Sequence, residues 1–341
     1  MSDDYRRDVL FSKLLEKATD DLPLFLDSLS KLQEEHDRAL ENARDQLINR
    51  YDVKVCPSEP VILSIPAVDS ATVIEQKNSV ILAMVAGVRY GDSVDVYFKR
   101  TVSPFESDQG SLLMILRMHA ELSLLSSINE FTIMDNSFWS VLMNINRAAT
   151  KKKSGGLSDY DAVSLLEDLA LFPDSLLIRM LRNPYVIAMS KSAIADSIST
   201  SLGYMSISDK ALMGLALREN EFLNPLVLGK GELNARFGIH SDIGLEDERR
   251  EIDRIYSTDL LVTFYKPWAF KPAYRVEFHS SQRAELQSIL QRIKYDTRHR
   301  TIIEPENQFL ADRIVKSVSE LVTLYGAAAI QRFPSIYGNY R

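Results

Sequence analysis

The 341-residue chain has a single cysteine, Cys56, so it can form neither an internal disulfide nor a multi-cysteine zinc site. Its five histidines are scattered, without HExxH or any other paired spacing. Apolar runs long enough to span a membrane are absent, as is an N-terminal apolar segment followed by a small-residue cleavage site. We therefore expect a cytoplasmic protein with no membrane segment. Any metal it binds should have oxygen ligands, which suit Mg²⁺ or Mn²⁺.

A surplus of basic residues is also missing, since the formal net charge is −7. A protein that binds nucleic acid passively and tightly is usually basic, so the charge argues against that class. A nuclease remains compatible, because its metal site gathers acids while bases can cluster locally. Hydrophobic residues make up 45% and charged residues 26% of the chain, as in a soluble globular protein.

Residues 4–50 are predicted to be mostly helical, with a break at Pro23. From Leu32 to Tyr51 the sequence is rich in charge and has only a narrow apolar edge. Two interpretations of this N-terminal arm, residues 1–55, stay open. It either braces the domain that follows or provides a docking or dimerisation helix.

Beyond residue 55 the pattern changes to that of an α/β domain. The apolar run Val61–Val68 predicts a buried strand that ends at Asp69. The next two strands are predicted to form an antiparallel meander with it, because a Gly-Asp turn joins them. The strands expected after Val61–Val68 are Ser79–Tyr90, Val94–Val102, Phe131–Met134, Pro184–Ser190 and a late hairpin of Leu260–Tyr265 with Ala273–His279.

Three carboxylates occupy positions from which they could meet at one edge of a sheet. Asp69 and Asp135 each follow an apolar run, and Glu121 lies in a helix, Ser111–Ser127, that is apolar nearly all round. Each acid alone could be a turn or cap residue, and Arg117 with Glu121 could be an internal ion pair. Their order favours a shared site, because three or four carboxylates can hold two divalent ions about 3.5–4 Å apart for phosphodiester cleavage.

Basic residues near this edge are candidates for contacts with phosphate. Lys191 follows the predicted strand Pro184–Ser190, where it could either extend to solvent or hold a phosphate. The link Lys266–Lys271 mixes bases with aromatic residues, a composition that suits either stacking on single-stranded bases or a packed β loop. The residues predicted to contact DNA are Arg117, Lys266, Lys271 and Arg275. A predicted helix at Asn307–Ala329 has Asp312 near its start as a fourth acid.

This order of elements resembles the ribonuclease H-like fold, in which a mixed five-stranded core gathers carboxylates at one rim. The chain further resembles the NurA nucleases from about residue 55 to the C-terminus. Ser70 and Asn136 stand where that family has glycine, Glu304 where it has tyrosine, and Asp312 where it has histidine. The matching segments are AVDSA (67–71), RMHAELSLL (117–125), IMDNSFW (133–139), IAMSKS (187–192) and EPENQFLAD (304–312).

The resemblance implies an α/β fold with a ribonuclease H-like mixed five-stranded core sheet flanked by helices. It implies an N-terminal helical arm over residues 1–55 and a nuclease domain over residues 56–341, which carries helical and β-hairpin insertions. We expect a helical insertion at about 138–182 and an irregular one at about 219–253.

The implied function is a metal-dependent DNA nuclease with one or two Mn²⁺ or Mg²⁺ ions. The expected catalytic residues are Asp69, Glu121, Asp135, Lys191 and Asp312, and the four acids among them are the expected metal ligands. The family also implies a homodimer that docks on a HerA-like hexameric ATPase in DNA end processing or anti-phage defence. Two alternatives remain, namely a non-catalytic adaptor subunit of the ATPase complex and a nuclease that acts on RNA.

Overall fold

A computed structural model describes residues 17, 19–28, 30, 42–57, 61–77, 80–104, 108–153, 155, 160–171, 174–190, 196–204, 207–228 and 246–317. The chain divides into two compact units, Met1–Arg50 and Tyr51–Arg341. In the first unit, residues 19–28 and 42–50 are helical. No helix in the described parts of the chain is long and apolar enough to cross a lipid bilayer.

One sheet of ten strands organises the second unit. Its strand order is β1-β7-β9-β10-β6-β5-β2-β3-β4, with β8 paired to β9 beside this path. The strands are β1 (Val53–Val55), β2 (Ala67–Lys77), β3 (Val80–Tyr90), β4 (Val94–Pro104), β5 (Thr132–Met134), β6 (Val186–Met189), β7 (Glu221–Leu223), β8 (Leu226–Val227), β9 (Leu260–Lys266) and β10 (Tyr274–His279).

The half of the sheet that runs from β4 to β6 has the predicted ribonuclease H-like core. Strand β3 is antiparallel to both β2 and β4, whereas β5 is parallel to both β2 and β6. The late hairpin of β9 and β10 continues this sheet, because β10 pairs antiparallel with β6 through Val276 and Met189. The mixed α/β fold class is therefore confirmed, with a sheet that extends beyond five strands.

Strand β2 differs in its bounds from the strand predicted at Val61–Val68. Residues 61–66 are not in a strand, and β2 runs from Ala67 to Lys77. The partner strand sets the bounds of β2, because β3 pairs with it in continuous register over all eleven residues. The preceding segment is held by side chains instead, because Ile65 N donates to Asp296 Oδ2 at 2.7 Å. Asp69 is consequently the third residue of β2.

The helices cover this sheet and connect its strands. The long helix α1 begins after Asp108, whose side chain accepts a hydrogen bond from Ser111 N and so caps the helix. The α-helices are α1 (Gln109–Leu125), α2 (Phe138–Lys153), α3 (Tyr160–Leu166), α4 (Leu176–Arg182), α5 (Ser197–Ser201), α6 (Asp209–Ala216), α7 (Glu246–Arg254), α8 (Leu286–Asp296) and α9 (Glu306–Lys316). A π-helical turn follows α3 (Glu167–Leu171) and another follows α7 (Ile255–Asp259). A 3₁₀ turn precedes α8 (Ser280–Glu285).

Gly87 sets how closely α1 approaches the sheet. It lies in β3 directly opposite Ser70 of β2. A Cβ atom at position 87 would lie 3.1 Å from Ala120 Cβ and 3.2 Å from Leu124 Cδ1, tighter than nearly all such contacts. Glycine therefore lets α1 pack directly on β2 and β3, which brings Glu121 of α1 to the level of Ser70.

Candidate active site

The parallel pairing of β2 and β5 places Asp69 and Asp135 at the same level of the sheet. Ala67 pairs with Ile133 and Val68 pairs with Met134, so Asp69 and Asp135 are the next residues along the two strands. β5 ends at Met134, whereas β2 continues beside β3. The two acids therefore lie where the parallel part of the sheet ends, the edge at which open α/β sheets bind ligands.

Ser70 links Asp69 to Glu121. The Ser70 backbone N–H donates to Asp69 Oδ1 at 2.7 Å, and the Ser70 hydroxyl donates to Glu121 Oε1 at 2.6 Å. Both carboxylates are buried, Asp69 at 5% and Glu121 at 3% exposure. The guanidinium of Arg117 approaches Glu121 Oε1 at 3.7 Å from the preceding helical turn, with its own side chain 45% exposed. The predicted pair of Arg117 and Glu121 is thus present at the sheet edge.

The environment of Glu121 disfavours its negative charge. Burial raises the pKa of the Glu121 carboxyl, and the neighbouring charge of Asp135 acts in the same direction. Arg117 and the hydrogen bonds from Ser70 and Asn136 oppose this rise in pKa without cancelling it. A cation bound beside Glu121 and Asp135 would favour the ionised form of both. The donor set is made of oxygen atoms alone, so it fits Mn²⁺ or Mg²⁺.

The described carboxylates are not arranged as a complete metal-binding site. Over the described ranges, no group of three or more Asp, Glu, His or Cys side chains is arranged to hold a metal ion. The Ser70 hydroxyl also donates a hydrogen bond to Glu121 Oε1. An ion that used this oxygen would have to compete with that hydrogen bond.

A cavity of about 440 Å³ opens beside the end of β6 and brings several charged groups together. Ser190, Lys210, Glu304, Asp312 and Lys316 are among the residues that line it. Asp312 lies on α9, and its Oδ2 accepts from Lys316 Nζ at 2.6 Å. The structure therefore places the predicted fourth acid in a cavity at this end of the sheet.

Lys210 is a residue of this region that the sequence did not indicate. Its Nζ donates to the carbonyl of Ser190 at 3.2 Å. Burial lowers the pKa of Lys210, and the nearby charge of Asp135 opposes that change. Lys210 lies in α6, inside a stretch predicted only as helix, and no local motif marks it. Lys191, the lysine predicted for this role, lies outside the described residues.

Three of the bases predicted to contact DNA make hydrogen bonds within the protein. Lys266 Nζ donates to the carbonyl of Gly214 at 2.6 Å. Lys271 is 4% exposed, and its Nζ donates to the carbonyls of His299 and Ile302. Lys271 in this position has almost no surface to offer a phosphate.

Arg275 is also turned inward, by the alternation of side chains along β10. It is 3% exposed, and its Nε donates to Glu277 Oε1 at 2.7 Å. Glu277 in turn accepts from the backbone N–H of Phe138 at 2.8 Å through Oε2. Arg275 therefore serves a buried polar network in this structure, and its contact with DNA stays a prediction.

These features define an α/β protein with a ribonuclease H-like sheet and an acidic edge. A comparison with solved structures narrows the fold further. The chain is similar to the NurA nuclease from Sulfolobus solfataricus, with a TM-score of 0.57 and 13% identity over 94% of this chain and 98% of that one. It is also similar to a crystal structure of NurA with manganese, with a TM-score of 0.54 and 13% identity over 90% and 98%. No family model and no curated protein matches the chain. The chain therefore has the NurA fold, which confirms the resemblance at the level of structure, with a sequence that diverges strongly.

Proposed function

We propose that the chain is a metal-dependent nuclease that hydrolyses phosphodiester bonds in DNA. The main support is the register that sets Asp69 and Asp135 side by side at one sheet edge, with Glu121 joined to Asp69 through Ser70. The manganese in a NurA structure of the same fold supports a divalent cofactor. The proposed reaction follows the family pattern, single-strand endonuclease or 5′-to-3′ exonuclease cleavage.

Asp69, Glu121 and Asp135 would hold one or two Mn²⁺ or Mg²⁺ ions, with Asp312 as a further ligand from the cavity. Such ions supply charge stabilisation for the attacking and leaving oxygens of a phosphodiester. Arg117 holds Glu121 in place, and its exposed part faces solvent at the same edge. Lys210 provides a positive charge next to Asp135 for a substrate phosphate, and we assign Lys191 the same supporting role.

The charge balance favours an assembly over a monomer that binds DNA alone. With a net charge of −7, one chain offers few bases for phosphate contacts. We propose a homodimer that docks on a HerA-like hexameric ATPase, in DNA end processing or anti-phage defence in the cytoplasm. The N-terminal arm is the proposed docking element, because Leu22, Leu24, Phe25 and Leu26 are each about half exposed or more.

One observation favours a non-catalytic adaptor as the second candidate. The described residues contain no group of three acids arranged for a metal, and Ser70 occupies one oxygen of Glu121. A subunit that had lost catalysis could keep the fold and the docking arm while its acids became internal hydrogen-bond acceptors. The two candidates differ in whether the purified chain cleaves nucleic acid.

The deciding experiment incubates the purified full-length chain with end-labelled single-stranded DNA, duplex DNA and RNA. Each reaction is run with Mn²⁺, with Mg²⁺ and with EDTA, and is repeated with the ATPase partner. DNA cleavage that requires the metal supports the proposal, and cleavage of RNA alone supports the alternative substrate. A chain that binds the ATPase but cleaves nothing is an adaptor. Sedimentation of the same sample measures the proposed dimer.

A further inference from the structure

The link between β9 and β10 carries two aromatic rings with cations on their faces. The rings of Trp268 and Phe270 are nearly parallel, with centroids 5.9 Å apart and an interplanar angle of 17°. Lys294 Nζ lies 4.2 Å from the centroid of Trp268, and the Arg300 guanidinium carbon lies 5.2 Å from the centroid of Phe270. Phe270 is 45% exposed, and Arg300 is also exposed. We call these four residues the aromatic platform.

Part-buried hydrogen bonds hold the platform in place. Trp268 Nε1 donates to the carbonyl of Lys294 at 3.1 Å. Lys271, between the platform and the sheet, ties the link to the carbonyls of His299 and Ile302. Lys294 Nζ is itself fixed by Asn220 Oδ1 at 2.5 Å. The exposed ring of Phe270 is therefore presented by an ordered support, so little entropy is lost when a flat group stacks on it.

The sheet register places the platform at the edge that carries the acids. β10 is antiparallel to β6 with Val276 opposite Met189, so residues before Tyr274 extend past the end of β6. Asp135 follows β5, which is parallel to β6 with Met134 opposite Ala188. The link before β10 and Asp135 after β5 therefore lie at the same edge of the sheet. β5 and β9 are three strand spacings apart in the order of the sheet, roughly 14 Å at about 4.8 Å each.

We propose that the aromatic platform binds an unpaired base of a single-stranded nucleic acid by stacking, a few nucleotides from the acidic edge. A large apolar ring left 45% exposed beside an arginine suits a base, whose π-face stacks on the ring regardless of its identity. Arg300 adds a cation for the neighbouring phosphate or for the base itself. This inference rests on the proposed function, because it names the part of the nuclease substrate that the aromatic platform binds.

Binding is measured without metal so that it does not depend on cleavage. Fluorescence anisotropy with labelled oligo-dT, oligo-U and a duplex is recorded in EDTA at several salt concentrations, for the full chain and for four variants. Phe270→Ala should weaken single-strand binding by about 5- to 150-fold, the scale for the loss of one stacked base. The salt dependence of binding should not change in Phe270→Ala, because a phenyl ring carries no charge.

Arg300→Gln should reduce the slope of log affinity against log salt by about one. Phe270→Tyr should bind as the wild type does.

Phe98→Ala is the matched control, since Phe98 is a 40% exposed phenylalanine on the edge strand β4. It should bind single strands with unchanged affinity and unfold at a temperature similar to that of Phe270→Ala. Equal binding by Phe270→Ala and the wild type would overturn the inference, as would a wild-type chain that binds no single strand even at low salt. If Phe270→Ala weakens single-strand binding but the wild-type chain never cleaves nucleic acid, the platform is supported and only the proposed catalysis is refuted.

Discussion

The hydroxyl of Ser70 donates a 2.6 Å hydrogen bond to Oε1 of the buried Glu121 carboxylate. Ser70 stands where the NurA resemblance has glycine, so this contact is a property of the present chain. Its backbone N–H simultaneously holds Asp69. One serine therefore fixes two of the acids proposed to bind metal, and it competes with any ion for one of their oxygens.

Replacing Ser70 tests this competition. Ser70→Gly should raise the affinity for Mn²⁺, measured by titration calorimetry, because Glu121 Oε1 becomes available to the ion. Stability should fall by about 1–3 kcal/mol through the lost hydrogen bond and the flexibility of glycine in a strand. Ser70→Ala is the control, as it removes the hydroxyl and keeps a Cβ. Unchanged Mn²⁺ affinity in both variants would show that the hydroxyl does not limit binding.

Asp135→Asn should abolish metal-dependent cleavage while the fold is retained. The change removes a proposed ligand with little change in volume, and a loss of roughly a hundredfold or more is the scale for one charge-stabilising group. Asp69→Asn should behave alike. Asp92→Asn, in the exposed turn between β3 and β4, is the matched control. Initial rates on end-labelled DNA and thermal unfolding measure both properties, and full activity in Asp135→Asn would refute the assignment of this residue.

Lys210→Met should reduce the cleavage rate by about ten- to a hundredfold, because it removes the ammonium that we propose supports a substrate phosphate. The methionine keeps the length of the side chain in the cavity wall. Lys54→Met, on β1, controls for the loss of one positive charge. Steady-state rates at several DNA concentrations separate turnover from binding. A defect of equal size in both variants would indicate a general charge effect.

Arg275→Met should destabilise the fold rather than weaken DNA binding alone. The substitution leaves Glu277 buried at 1% exposure without its cation, which costs about 3–5 kcal/mol in comparable pairs. The double variant Arg275→Met/Glu277→Gln should recover part of this loss. Urea unfolding measures stability, and anisotropy with DNA measures binding. A stable Arg275→Met chain with weak DNA binding would restore Arg275 as a contact residue.

Stability should fall as the pH rises through 7, because of Asp296. Burial raises the pKa of this carboxyl from 3.8 to about 7, although a hydrogen bond from the Ile65 backbone and nearby arginines oppose the change. Between these two values the folded chain holds a proton that the unfolded chain has lost. The free energy of unfolding should therefore drop by roughly 1 kcal/mol from pH 6 to pH 8.

Asp296→Asn removes this titration and can still accept the hydrogen bond from Ile65. Urea unfolding of this variant should then show little difference in stability between pH 6 and pH 8. A variant with the same pH dependence as the wild type would place the responsible group elsewhere. The result matters for the site, because Ile65 lies just before the strand that carries Asp69.

The sequence predicted the elements of the core more reliably than their bounds. Asp69 was expected at the end of a strand, but β2 continues for eight residues beyond it, because a long partner strand pairs with it. Only tertiary pairing sets that length. The placement of Asp69 beside Asp135 was foreseeable in outline, since each follows or interrupts an apolar run.

The basic residues show where local patterns carry too little information. Lys271 and Arg275 lie in a stretch that resembles a nucleic-acid contact, yet both side chains point inward to carbonyls or a carboxylate. Lys210 has no motif, and it reaches the site only because α6 packs against the end of the sheet. Such positions depend on contacts between residues far apart in sequence, which periodicity does not encode.

Gly87 leaves less than the usual room for one methyl group between β3 and α1. An added Cβ atom would crowd Ala120 and Leu124 of α1, so these neighbours of Glu121 would have to give way by a few tenths of an ångström. A substitution at a residue with no chemistry of its own would then change the spacing of the oxygens. The spacing of these carboxylates would then depend in part on the neighbouring strand β3, where divergent sequences of this fold could alter the proposed metal site.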